Sequence, residues 1–473
     1  MGASTTLGEL RAAGYPDRSV KDEMRANLMA HLARRAPVWP SIVGYGDTVI
    51  PALERAILAG HDIIMLGERG QAKSRLIRHL TELLDAEVPA IAGCELNDHP
   101  YRPICARCRA RVASEADATP VAWIRREERF SEKLATPDTA VADLIGDVDP
   151  IRVAEGRHLG DELTIHFGLV PRTNRGIFAI NELPDLPERI QVSLLNILEE
   201  RDVQVRGYRI RLPLDIVLIA SANPEDYTHR GRIVSPLKDR FGSQVRTHYP
   251  RCIADEIAIM EQEATPAPGG IAVHVPEHLK EVVASLTAQL RASPSVNQRS
   301  GVSVRFSIGA LEALVASSTR RAVITGEAEA VPRAIDLWAI LPSVMGRVEF
   351  DSLDEGREPE ILERALKTAL LDTWRRRLGG EDFGTLIARF ESGLEVETSD
   401  GLGSADLISQ LGREGFGDWP VEGVVGRLGI GRDSPAAVAA ALEFCLEGLH
   451  LTKRLNKRAG RAPGTWTFAD GAA

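Results

Sequence analysis

Four short segments, met in a fixed order, constrain this chain more than anything else in it. They are GERGQAKS at Gly67 to Ser74, GIFAINE at Gly176 to Glu182, IVLIASAN at Ile216 to Asn223, and LKDRF at Leu237 to Phe241. The first follows an apolar run, Ile63 to Leu66, and precedes a helix-like stretch from Lys73 to Leu84. That is the strand, loop and helix setting of a phosphate-cradling turn. Gly67 and Gly70 open backbone angles closed to other residues, so a turn built with Glu68, Arg69, Gln71 and Ala72 can aim successive N–H groups at phosphate oxygens. In such a turn Lys73 meets the outer phosphates, the Ser74 hydroxyl holds Mg²⁺, and Arg75 follows in the first helical turn. Ala72 stands where a glycine usually precedes the lysine, and its methyl group crowds the phosphates slightly.

Ile177 to Ile180 form a continuously apolar run between turn residues, as expected of a central parallel strand buried on both faces. Its carboxyl end carries Asn181 and Glu182. Phosphoryl transfer to water commonly uses one group there to support Mg²⁺ and a neighbour to orient or deprotonate the water. Asn181 keeps an acceptor oxygen but lacks the negative charge, so weaker Mg²⁺ retention is expected; a helix-capping role fits it as well. Glu182 is the candidate base. Asn223, at the end of the next strand, is placed to hydrogen-bond the attacking water or outer phosphate, while Pro224 after it also makes a turn starter. Arg240 lies in a short polar segment downstream, and an arginine reaching phosphate from a neighbouring subunit contributes about 10³ or more to turnover in other phosphoryl-transfer systems.

Together these residues resemble the AAA+ ATPases, and within them the magnesium chelatase ATPase subunits and MoxR-type proteins. The resemblance rests on VGYGDTVIPALERAILAG, the GxxGxAKS turn, NRGIFAINELPDL, and SANPED followed by SPLKDRFG, and covers roughly residues 41 to 249. It implies an α/β fold with a P-loop parallel sheet sandwiched by helices, then a helical lid, in a homo-oligomeric ring that is commonly a hexamer. It further implies ATP with Mg²⁺ on Lys73 and Ser74, water activated by Glu182, the outer phosphate sensed by Asn223, and Arg240 acting across the subunit interface. Arg305, in GVSVRFSIGALEAL, is the expected lid arginine, with Arg299 as the alternative. Asn181 departs from the aspartate of the family, which bears on hydrolysis rate more than on nucleotide binding.

The stretch between phosphate turn and acidic strand carries a second signal. Cys94, His99, Cys105 and Cys108 sit in CELNDHPYRPICARC, and the chain has only 5 cysteines. Three thiolates and an imidazole suit a closed, tetrahedral structural Zn²⁺ site, with a redox-active Cys105/Cys108 pair or reduced loop thiols as the other readings. The nearby Arg102, Arg107 and Arg109 would offset thiolate charge. The expectation is a small clip that orders an inserted segment at about 93–120.

At 473 residues the chain should hold two to three domains. The expected boundaries are a helical leader at 1–40, an ATPase core at 41–264, a helical lid at 265–378 after the TPAPGG break, and a helical or winged-helix-like region at 379–473. DVQVRGYRIRL reads as a hairpin, whose Arg206, Tyr208 and Arg209 face either a substrate or a neighbouring subunit. No apolar run approaches membrane-spanning length and no signal-peptide core opens the chain, so a cytoplasmic protein is expected. A formal net charge of −10 argues against nucleic-acid coating as the main task. Three functions fit: a ring ATPase that remodels a protein partner, for which the resemblance suggests one with a von Willebrand factor A domain; a metal-chelatase motor subunit; and an ATP-gated scaffold that hydrolyses little.

Overall fold

The computed structural model describes residues 4–148, 164–199, 203–205, 208–210, 212–223, 233–265, 270–297, 300–351, 354, 356–411, 421–431, 434–460 and 464–471. The chain forms two compact units, Met1–His248 and Tyr249–Ala473.

The first unit is built on a five-stranded sheet: β1 (Ile63–Leu66), β2 (Phe130–Leu134), β3 (Gly176–Asn181), β4 (Ile216–Ala222) and β5 (Ser243–Arg246), in the order β5-β1-β4-β3-β2. All four pairings are parallel. Alternation along the strands explains the layering. Ile63, Met65, Ile177, Ala179, Val217 and Ile219 face one core with helices Val20–Ala33, Val49–Leu58 and Lys73–His79. Ile64, Leu66, Phe178, Ile180, Leu218 and Ala220 face the other, with helices Glu188–Glu199 and Ser235–Arg240. Strands covered on both faces must be apolar throughout, which is why these read as unbroken hydrophobic runs. A parallel five-stranded sheet with flanking helices, followed in sequence by a helical unit, fits the AAA+ fold that the sequence resemblance implies.

The segment expected as a leader is part of this unit. Glu23, on helix Val20–Ala33, forms a bidentate pair with Arg129 at 2.6 and 2.8 Å, both side chains being almost wholly buried. Arg129 also donates to the Arg175 carbonyl, just before β3. Further upstream, Val121 N donates to Thr5 O and Leu7 N to Thr119 O, so the first described residues lie along the insertion. The insertion itself pairs Glu87–Ile91 with Val121–Arg125 antiparallel, and helix Ala106–Glu115 lies between them in sequence. The expected hairpin is an antiparallel pair, Val203–Val205 with Tyr208–Ile210; Arg206 lies outside the described residues, as does Arg299.

In the second unit, one apolar core runs from Ile257 to Phe468. The residues expected as lid and as C-terminal region therefore share one interior, and the chain divides at His248/Tyr249 in place of residues 264 and 378. The region expected to be a helical lid is helical, with helices at Glu277–Ala292, Val304–Thr325 and Glu358–Leu378. Near the end, strands Val396–Ser399, Leu455–Ala459 and Thr465–Asp470 form an antiparallel sheet with the last strand central. Helix Pro435–Leu451 beside it is buried from Ala436 to Leu449. No helix among the described residues is long and apolar enough to cross a membrane.

Candidate nucleotide site

The phosphate turn leaves the carboxyl end of β1 and is fixed by its neighbours. Gly67 N donates to Ala222 O, and Thr247 N to Leu66 O, so β4 and β5 hold both flanks of the loop's first residue. A Cβ on Gly67 would lie 1.8 Å from Thr247 Oγ1 and 2.3 Å from Gln71 Oε1, which explains why glycine is required here. Buried Gln71 accepts from Glu68 N at 3.0 Å and Thr247 Oγ1 at 2.7 Å. The Tyr45 hydroxyl donates within reach of both Gln71 O and His248 O, and burial pushes its pKa up to about 12. Gly70 has φ +77° and Ala72 φ +56°. Ala72 thus adopts the left-handed region that glycine occupies freely, so its departure from glycine carries backbone strain besides any crowding of phosphate.

Lys73 is buried, and its ammonium donates to Gly67 O, to Glu68 O at 2.9 Å and to Asn223 Oδ1 at 2.8 Å. The Asn223 amide in turn donates to Glu182 Oε2 at 2.9 Å. Residues from three separate sequence segments, the phosphate turn, β3 and β4, are thereby linked through one amide. Glu182 has φ +55°, a left-handed conformation in a residue with a side chain, and its N–H donates to Ser221 Oγ. Ser74 and Arg75 follow Lys73, half-buried, in the first turn of its helix, while Arg69 at the loop's tip is exposed.

Asn181 has a partner that the sequence did not disclose. Its amide donates to Glu132 Oε1, on the adjacent strand β2, and its carbonyl accepts from Ser221 Oγ at 3.2 Å. Glu132 also pairs with Arg78 at 2.8 Å. An aspartate at 181 would face this carboxylate, so an amide is the residue that fits the neighbourhood. The oxygen donors here, the Ser74 hydroxyl, the Asn181 carbonyl and the Glu132 carboxylate, are of the hard kind that Mg²⁺ prefers.

Arg240 is the last residue of helix Ser235–Arg240 and is exposed. Arg305 is exposed in the first turn of helix Val304–Thr325, in the second unit, and its carbonyl accepts from Arg347.

The sequence pattern that defines the sigma-54 interaction domain matches residues 153–239. The 38 kDa magnesium-chelatase subunit of Rhodobacter capsulatus is 29% identical over 248 residues, which are 49% of this chain and 63% of that protein. The corresponding subunit of Acidiphilium rubrum is 27% identical over 342 residues, 64% of this chain and 88% of that protein. These comparisons support an AAA+ ATPase of the magnesium-chelatase subunit type. A solved complex of the magnesium chelatase subunits BchI and BchD is similar to this AAA+ chain at 22% identity, with 69% of this chain and 97% of that one covered and a TM-score of 0.35. The chain spans 63% and 54% of the length of the first two curated relatives.

The insertion departs from the expected ligand set. Cys94, Cys105, Cys108 and Asp98 bring their ligand atoms within 4.8 Å of one another, and His99 is not among them. His99 Nδ1 accepts from Tyr101 N at 3.1 Å, and Nε2, buried without a hydrogen-bond partner among the described residues, lies 3.7 Å from Asp17 Oδ1. Burial lowers its pKa to about 4. All the cysteines are free thiols. Hydrogen bonds from Cys105 and Cys108 hold the Cys94 thiol well below the ordinary thiol range, and burial pushes the Asp98 carboxyl up to about 6.

Proposed function

We propose that this chain binds ATP with Mg²⁺ and hydrolyses it at the junction of neighbouring subunits in a ring, a hexamer, and that the ring remodels a protein partner. The observation that carries the reading is the hydrogen-bonded chain from Lys73 through Asn223 to Glu182, because it links a phosphate-binding cation, a polar sensor and a carboxylate base. When nucleotide enters, Lys73 exchanges the carbonyls of Gly67 and Glu68 for outer-phosphate oxygens. Glu182 orients and deprotonates the attacking water, and Asn223 is freed to bridge that water or the phosphate. Ser74 would hold the Mg²⁺, with Asn181 as a candidate further oxygen ligand, and the ion would supply neutralisation of phosphate charge. Arg240 reaches the phosphates of the adjoining subunit, and Arg305 is the lid arginine that reports nucleotide state. The cofactor set is completed by a structural Zn²⁺ in the insertion that takes no part in hydrolysis. The partner suggested by the family resemblance carries a von Willebrand factor A domain.

Because the relatives are magnesium-chelatase subunits, a motor for metal insertion into a tetrapyrrole is the second reading. Steady-state phosphate release by the wild type and Glu182→Gln tests the enzyme. The wild type should turn over at least 100-fold faster, on the order expected for loss of a general base (~10²–10⁴). Equal rates would leave an ATP-gated scaffold. Magnesium insertion into protoporphyrin on adding chelatase partner subunits would favour the motor over the remodeller.

A further inference from the structure

We infer that the insertion's Zn²⁺ is held by Cys94, Asp98, Cys105 and Cys108, and that it fixes the foot of strand β3. This rests on the structural-zinc reading and goes beyond it by replacing His99 with Asp98 and by giving the ion a mechanical role.

The first observation is the convergence itself. A tetrahedral zinc with Zn–S bonds of about 2.3 Å holds ligand atoms about 3.8 Å apart. Here four such atoms already lie within 4.8 Å of one another, so a small contraction completes the set. Second, Asp98 is wholly buried and its two oxygens differ. Oδ2 accepts from Ile104 N at 3.1 Å and Cys105 N at 3.0 Å, whereas Oδ1 is buried without a hydrogen-bond partner among the described residues. An uncompensated buried carboxylate oxygen is costly, and a cation beside it removes the cost. Third, backbone amides aim at two of the sulfurs: Leu96 N donates to Cys94 Sγ at 3.4 Å and Cys108 N to Cys105 Sγ at 3.3 Å. Such donors stabilise thiolates that ligate a metal and orient them toward it. Three thiolates with one carboxylate leave no open position, so the site is structural.

The ligand loop is tied to the entry of β3. Leu96 O accepts from Asn174 Nδ2 at 2.8 Å, and Asn97 exchanges bonds with Arg172 and Arg175. Arg175 also donates to Pro89 O at 2.6 Å. Residues 172–175 precede β3, about 20 Å along the strand from Glu182 at its other end, by the usual rise of about 3.3 Å per residue. The ion therefore anchors the strand that presents the candidate base without approaching the chemistry.

The test uses the full chain purified under reducing conditions, its zinc content, the spectrum of a Co²⁺-exchanged sample, and the thermal midpoint before and after chelation. One zinc per chain is expected, with strong thiolate-to-cobalt charge transfer. Cys105→Ser should lose the metal, Asp98→Asn should bind it at least tenfold more weakly in chelator competition, and His99→Ala should retain it. Chelation should lower the thermal midpoint. If the wild type neither contains nor takes up zinc, the structural-zinc reading falls and this inference with it. If it binds zinc but His99→Ala loses the ion while Asp98→Asn keeps it, zinc stands and the Asp98 assignment is overturned. If Cys105→Ser proves insoluble, the wild-type cobalt spectrum still decides, because a band intensity of two thiolates or fewer contradicts the set.

Discussion

Asn181→Asp restores the aspartate of the AAA+ pattern and should nevertheless destabilise the protein in the absence of nucleotide. Asn181 donates to Glu132, whose side chain is 18% exposed, and the substitution sets a carboxylate oxygen against another at hydrogen-bond range. Two unit charges about 3 Å apart at an effective dielectric of about 40 repel by about 3 kcal/mol. The lost hydrogen bond adds about 1 kcal/mol. Arg78, 2.8 Å from Glu132, offsets part of this, leaving about 2–3 kcal/mol. Urea unfolding of the wild type, Asn181→Asp, Glu132→Gln and the double variant measures the term directly. The double variant should recover most of the loss, giving a coupling of about 2 kcal/mol. Saturating Mg²⁺-ATP should stabilise Asn181→Asp more than the wild type, since two adjacent carboxylates attract the cation, and turnover at limiting Mg²⁺ should rise. A single variant as stable as the wild type, or no rescue by Glu132→Gln, would refute the account.

Ala72→Gly should relieve the left-handed backbone, worth about 1–2 kcal/mol, against about 0.5–1 kcal/mol of added unfolded-state entropy. Net stabilisation of up to about 1 kcal/mol by urea unfolding, with ATP affinity at least maintained, is expected. His278 is fully buried against Phe444, with neither ring nitrogen hydrogen-bonded among the described residues. Burial first, then Arg377, lowers its pKa from 6.5 to about 3. The ring is neutral in the fold, so its contribution is whole above pH 6.5 and is lost as the pH falls towards 3, by as much as a few kcal/mol. His278→Leu should flatten the pH dependence of the unfolding midpoint between those limits; an unchanged slope would show that the acid sensitivity resides elsewhere.

How much was legible depended on the range of the interactions. Strands β1, β3 and β4 were readable because burial on both faces demands apolar runs, and the GERGQAKS turn because its glycines and lysine are local, whereas FSEKL and SQVR carry no such run. The link from Lys73 to Glu182 through Asn223 followed from motif order, although the hydrogen bonds themselves did not. Glu132 was invisible: FSEKL has no motif, and its meaning arises only when β2 aligns beside β3. Asp98 stands in plain view within the cysteine segment, yet spacing and residue type favour His99, the commoner zinc ligand, over the carboxylate that the fold brings to the thiols. Its place depends on how the chain bends between Cys94 and Cys105, which spacing alone does not determine. The packing of the helical leader was equally hidden, because Glu23 looks like surface charge until Arg129, more than a hundred residues away, covers it.

The helix Pro435–Leu451 has a mechanical consequence for the second unit. Its small residues let neighbours close on every side, and a Cβ on Gly448 would strike the Trp374 ring at 2.1 Å. A body wound that tightly around an internal spindle has no soft joint at the spindle itself. A substitution that adds bulk along this spindle must displace its neighbours, so it costs stability wherever along the helix it falls.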